Sequence, residues 1–280
     1  MMKFLFRKQL LLYVGIISLL FNCGSNFANL SGLQPNEIFE LGKKYFYEDE
    51  DYENSRILFD RISRLGIVTT YADSAQFLLA ESHFKMENYI IAQSEYERLI
   101  RVRQRSFLVP ISRYMVGMCY YNLSPRASLD QDYTMKAIDS FQQFVLNPGP
   151  GTSSEILDNS TNRIIELFEK LAEKDYNSGV LYRKMRLYTA ALEYLDDAMY
   201  NYTFLLSDRL IQPLAVIPKA QFEKGECYIK LEQFKEAEES FQAVIDNFPQ
   251  HYLVEPAREK VAMLKVEIAA ADTSGTFKKW

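Results

Sequence analysis

Side chains able to do acid–base, nucleophilic or metal chemistry are few and scattered in this 280-residue chain. The two histidines, His83 and His251, are far apart, and neither a CxxC nor an HExxH pattern occurs, so nothing has metal-ligand spacing. The carboxylate pairs Asp196-Asp197 and Glu238-Glu239 are adjacent in sequence. Adjacent residues point to different sides of a helix, whereas a general acid and base must face one substrate. Gly42-Lys43-Lys44 lacks the upstream glycine loop that cradles phosphates. No catalytic set, cofactor site or metal site emerges, and the chain reads as a binding protein rather than an enzyme. The formal charge of −5 argues against a nucleic-acid partner.

Cys23 stands apart from this pattern. It follows a basic start with Lys3, Arg7 and Lys8, and an apolar run from Leu10 to Phe21 broken only by Gly15 and Ser18. Such a core has signal-peptide proportions and falls short of the roughly 20 residues that span a bilayer as a helix. Leu20, three residues before Cys23, resembles the bacterial lipoprotein box, in which the cysteine becomes the lipidated first residue of the mature chain. The alternative is an ordinary secretory signal with an incidental cysteine. Gly24 and Ser25 follow, neither of them the aspartate that retains enterobacterial lipoproteins at the inner membrane. That resemblance implies an outer-membrane anchor facing the periplasm, with residues 1–22 as signal peptide and 23–36 as a flexible tether. Cys119 and Cys227, inside helical patterns, read as buried thiols; an oxidising periplasm permits a disulfide without implying one.

The elements that must carry any binding surface are legible because the chain repeats itself. Phe and Tyr total 38 residues against 20 for Gly and Pro, so most of the chain sits in elements with aromatic packing positions. The clearest unit is Gly225-x2-Tyr228, a turn at Glu232-Gln233, Ala237-x3-Phe241 and Pro249. This resembles the tetratricopeptide pattern. Gly225 and Ala237 are expected to let two antiparallel helices approach, with Tyr228 and Phe241 filling the space beside them. Gly42 with Phe59, Ala80 with Tyr96, Gly117 with Phe141, and Gly179 with Leu195 mark four further units. The expected fold is all-α: a tetratricopeptide-like helix-pair solenoid of about five repeats forming a curved superhelix.

The spacing is uneven. Successive small residues lie at 42, 80, 117, 179 and 225, leaving an insertion between the third and fourth units. Part of it is Asn147-Pro148-Gly149-Pro150-Gly151, which cannot be helical. The rest predicts one long helix from Ser153 or Ser154 through Leu171 and Tyr176. The expected organisation is repeats over 37–150, further repeats over 151–265 joined without a floppy linker, and a polar tail over 266–280.

The third unit also carries Pro125, Arg126, Asp130 and Gln131 between its two helical segments. Pro125 fixes the backbone at the helix exit, Asp130 is placed to cap the next helix, and Arg126 has the fork geometry for a carboxylate or carbonyl. Two roles stand open for the four: ordering an extended loop, or touching a partner. With the Leu171 to Tyr176 segment and the uneven intervals, they resemble the BamD family, the lipoprotein subunit of the outer-membrane β-barrel assembly machinery. The likeness runs from about Glu37 to Ala243. The loop at 147–152 and the segment at 200–218 depart from it. The resemblance implies binding to the periplasmic domains of the barrel-forming subunit through the C-terminal half. It also implies receipt of unfolded β-barrel proteins by the N-terminal half, with Tyr45, Tyr120 and Tyr121 among residues offering broad contacts. A lipoprotein scaffold for another envelope complex is the alternative.

Overall fold

The computed structural model describes residues 32–65, 71–201 and 215–274. The expected signal segment, Cys23, most of the expected tether, the middle of the 200–218 segment and the last six residues lie outside this set. Eleven α-helices follow one another, with no strand among the described residues: α1 (Pro35–Tyr47), α2 (Tyr52–Arg64), α3 (Ala72–Lys85), α4 (Tyr89–Val102), α5 (Val109–Leu123), α6 (Asp132–Leu146), α7 (Ser154–Lys184), α8 (Tyr188–Tyr200), α9 (Ile217–Lys230), α10 (Phe234–Asn247) and α11 (Val254–Ser274).

Four of the pairs close where a large side chain lies on a glycine. A Cβ built on Gly42 would meet the Phe59 ring at 2.8 Å, one on Gly117 the Phe141 ring at 2.7 Å, and one on Gly179 the Leu195 side chain at 2.7 Å. On Gly225 it would come within 2.5 Å of Phe241. The closest approach in the last pair is therefore ring to backbone, not Gly225 to Ala237 as the spacing suggested. Ala237 is nonetheless fully buried.

The turn inside four of the five pairs has one geometry. Glu50, Glu87, Arg186 and Glu232 each take a left-handed backbone, φ between 51° and 64°. Each lies two residues before the pair's second helix, a position where L side chains are uncommon. The third pair has no such residue, and residues 124–131 replace the turn.

Contacts divide the chain into two compact units, with the boundary inside α3 between Ser82 and His83. In the first, α1 packs on α2 around Ile38, Leu58, Phe59 and Ile62, together with Leu78 and Leu79. In the second, each helix from α4 to α11 packs on the next. This boundary is not the 147–152 loop, across which Ala137 and Phe141 of α6 share a core with Ile164 and Phe168 of α7.

The long helix starts as its sequence predicts, with the Ser153 hydroxyl accepting from the Ile156 amide at 3.4 Å. Its 31 residues make it about 46 Å long. The preceding loop turns through Gly149 and Gly151, with φ of 82° and 80°, values that glycine adopts without steric cost. Two boundaries differ from the expected ones. α1 begins at Pro35, where Gln34 and Glu37 form a capping box. α11 continues past 265 to Ser274, through an alanine-rich stretch of high helix propensity.

Candidate functional site

The segment that replaces the third turn is ordered from within. α5 ends at Leu123, and Ser124 is extended, with ψ of 117°, as a residue preceding proline must be. Gln131 then gathers the loop. Its amide nitrogen donates to the carbonyls of Arg126 at 3.0 Å, Ala127 at 3.3 Å and Leu129 at 2.9 Å. Its side-chain oxygen accepts from the Thr134 hydroxyl at 2.6 Å. With 7 % of its surface exposed, Gln131 is a buried amide whose polar atoms are satisfied. The N-cap of α6 is Gln131 and not Asp130, although the Asp130 carboxylate accepts the first helical amide, that of Asp132, at 2.7 Å. Pro125 is half-buried, whereas Arg126 and Asp130 are exposed. Gln131 and Asp130 thus make hydrogen bonds within the loop, while Arg126 is exposed at the surface.

A second set of contacts ties this loop to α7. Lys170 donates to the Ser124 hydroxyl at 2.8 Å, and Ser124 lies 2.6 Å from the Thr134 hydroxyl. About two turns earlier, Arg163 donates to Tyr121 and to Glu166, both at 2.8 Å, while the Tyr121 hydroxyl donates to Glu166 at 2.7 Å. The guanidinium also lies 4.5 Å from the Tyr121 ring centre, a favourable cation–π distance. Burial pushes the Glu166 carboxyl upward, but the hydrogen bonds from Tyr121 and Arg163 outweigh it and leave a net downward shift. Burial lowers the Lys170 ammonium, only partly opposed by Glu166. Tyr121, expected to offer a contact surface, thus spends its hydroxyl on structure. Tyr120 packs against Tyr133 with ring centres 6.3 Å apart, and Tyr45 packs on the core of α1 and α2.

Beside this loop lies a groove of about 690 Å³, bounded by Arg126, Glu169, Lys170 and Glu173 and by Val216 and Lys219 at the start of α9. Another, of about 920 Å³, lies among α4, α5 and α6. Glu97, Arg113, Lys136 and Asp139 line it together with Val116 and Phe144. Both set carboxylates and cations beside apolar surface, a combination found where peptide segments are bound.

The histidines and the two internal cysteines lie away from both grooves. His83 is buried in α3, and His251 stands in the turn before α11. Cys119 and Cys227 are buried and not joined in a disulfide, and burial pushes the Cys227 thiol up to about 11. Among the described residues no group of histidine, cysteine and carboxylate side chains could hold a metal ion, and no helix is long and apolar enough to cross a membrane. Cys23 lies outside the described residues.

Successive helix pairs closed by a large side chain on a small residue define a tetratricopeptide-type repeat protein, and residues 219–251 match the tetratricopeptide repeat model. The chain belongs to the YfiO family of outer membrane lipoproteins, the BamD family, whose model matches residues 32–210. No curated protein matches it. Among solved structures it is similar to the TPR2AB-domain:pHSP90 complex of yeast Sti1, at 13% identity over 85% of this chain and 86% of that one, TM-score 0.41. A tetratricopeptide repeat protein of Parabacteroides merdae matches at 13% identity over 85% of this chain and 76% of that one, TM-score 0.31. A thermophilic TPR protein of Thermus thermophilus matches at 14% identity over 83% of this chain and the whole of that one, TM-score 0.28.

Proposed function

We propose that this protein is a non-catalytic component of the outer-membrane β-barrel assembly complex. It binds the periplasmic domains of the barrel-forming subunit and helps deliver unfolded β-barrel proteins. The observation that carries this reading is membership of the outer membrane lipoprotein family, over a match that includes the 124–131 loop. The loop supports it physically. Gln131 holds the backbone, Lys170 ties it to α7, and Arg126 is exposed at the rim of a groove. A guanidinium so placed is a ready partner for a carboxylate or peptide carbonyl.

In this account Cys23 carries the lipid that holds the chain to the periplasmic side of the outer membrane, and residues 24–34 give it reach. Residues 151–265 dock the barrel-forming subunit and residues 37–150 face the substrates. Mixed-charge grooves next to stacked helices suit extended or strand-like segments, which need main-chain partners and side-chain pockets at once.

Co-purification of the intact chain from detergent-solubilised membranes tests the proposal. Recovery of a large barrel protein with periplasmic repeat domains is the expected result. Recovery of transport or cell-wall enzymes in its place would assign the protein to another envelope scaffold.

A further inference from the structure

Between Glu97 and Asp130 the chain carries no carboxylate. Six arginines and no lysine fall in those 32 residues, in a chain whose formal charge is −5. Four of them, Arg98, Arg101, Arg103 and Arg105, crowd the end of α4 and its connection to α5. Arg98 is engaged with Glu95 at 3.5 Å, whereas Arg101 and Arg105 are exposed. Val102 and Phe107 are exposed among them, and Phe107 leaves 80 % of its surface open.

An ordered backbone presents this apolar tip. The Arg103 amide donates to the Leu99 carbonyl at 2.8 Å, the Ser106 amide to the Arg103 carbonyl at 2.8 Å, and the Val109 amide to the Ser106 carbonyl at 3.2 Å. The connection from α6 to α7 lies beside it. A Cβ on Gly149 would come 2.9 Å from the Pro110 ring, and Arg113 donates to the Asn147 carbonyl at 3.4 Å. Leu146, the last residue of α6, is 77 % exposed, and residues 140–154 also lack a carboxylate. One end of the second unit thus sets exposed arginines beside protruding apolar side chains. Val102, Phe107 and Leu146 line neither groove.

We propose that this end of the second unit is a contact surface for a bilayer of anionic phospholipids. Phe107 and Leu146 enter the boundary between headgroups and acyl chains, and Arg101 and Arg105 meet the lipid phosphates, which suit the guanidinium fork. Charge complementarity selects this occupant. The patch is of one sign, and an anionic leaflet is a continuous surface of the other, to which each basic residue adds attraction. A peptide segment is better matched by the mixed charges of the two grooves. The chain belongs to a family of outer membrane lipoproteins, so a lipid surface is within its reach. The proposed tether alone leaves the orientation of the repeats open, and a second contact fixes which end faces the bilayer. The inference rests on that membrane association and not on a role in barrel assembly.

The test uses the full-length protein carrying Phe107→Trp and Trp280→Phe, so that its one tryptophan reports on the patch. It is added from detergent to vesicles with brominated acyl chains, made of phosphatidylethanolamine with either phosphatidylglycerol or, as the neutral control, phosphatidylcholine. Flotation and tryptophan quenching are both read. Quenching is expected in the phosphatidylglycerol vesicles, weak in the neutral ones and reduced by high salt. Arg101→Glu with Arg105→Glu should lower the ratio of inserted to free patch at least about tenfold, whereas lysine at both positions should largely keep it. Both side chains are exposed, so the circular dichroism melt should not change. Flotation on both compositions without quenching would leave the lipid anchor standing and overturn the patch. Flotation and quenching confined to phosphatidylglycerol, both lost in the glutamate variant, would support the patch and contradict the anchor. Quenching indifferent to composition and to the arginines, or neither flotation nor quenching, overturns the proposal. So does arginine-dependent binding of poly-glutamate by a protein that phosphatidylglycerol vesicles leave unquenched, which would make the occupant an acidic protein.

Discussion

A methyl group added at Gly225 would sit 2.5 Å from the Phe241 ring, closer than van der Waals contact allows. Glycine to alanine inside a helix ordinarily gains about 1 kcal/mol. Overpacking a closed core costs roughly 1–3 kcal/mol, and here the ring has no room to retreat because Phe241 and its neighbours Ala237 and Val244 are fully buried. Gly225→Ala should therefore lower the melting temperature of the protein, and adding Phe241→Leu should recover part of the loss. A melt that rises, as helix propensity alone predicts, would contradict the contact. The same reasoning explains which residues could be read in advance. Gly225 and Phe241 are sixteen positions apart within one hairpin, so their spacing registers a contact that the local fold enforces. Gln131 was legible as a loop residue, but its bonds to three carbonyls were not, because a coil segment has no period from which to infer them.

At the scale of elements, α7 is pinned to α5 by Tyr121, Arg163 and Glu166 and to the 124–131 loop by Lys170. None of these ties shows in the sequence. Tyr121 and Glu166 lie 45 positions apart, and the loop between them follows no repeat interval that would set their register. The helix itself was legible from its Ser153 cap and its uninterrupted amphipathic run, whereas its neighbours had to be seen. The Glu166 carboxyl is held below its ordinary value of 4.5, since hydrogen bonds from Tyr121 and Arg163 overcome the upward push of burial. A depressed folded-state value means that the contribution of Glu166 to stability is present above the unfolded-state value and is lost as pH falls through the folded one. The melting-temperature difference between the parent and Glu166→Gln should accordingly be largest near neutral pH and shrink as the solution is acidified through the carboxylate range. A difference that stays constant with pH would show that the charge on Glu166 does not hold the helices together.

At the scale of the whole molecule, the fold supplies surfaces, and the proposed lipid anchor would supply a place. A single acyl chain binds membranes only marginally, whereas several chains anchor a protein stably, so under the proposed lipidation replacing Cys23 would remove the anchor. Cys23→Ala should leave an uncleaved precursor or release the chain from the membrane fraction. A correctly cleaved, membrane-bound product that persists without partner proteins would contradict lipidation at this residue. The role in barrel assembly is tested most directly by depleting the protein from growing cells and quantifying the outer-membrane proteome. The account predicts a broad loss of β-barrel proteins, accumulation of their unfolded forms in the periplasm, and little change in other lipoproteins. Normal levels of β-barrel proteins after depletion, with losses confined to cell-wall or export components, would contradict it.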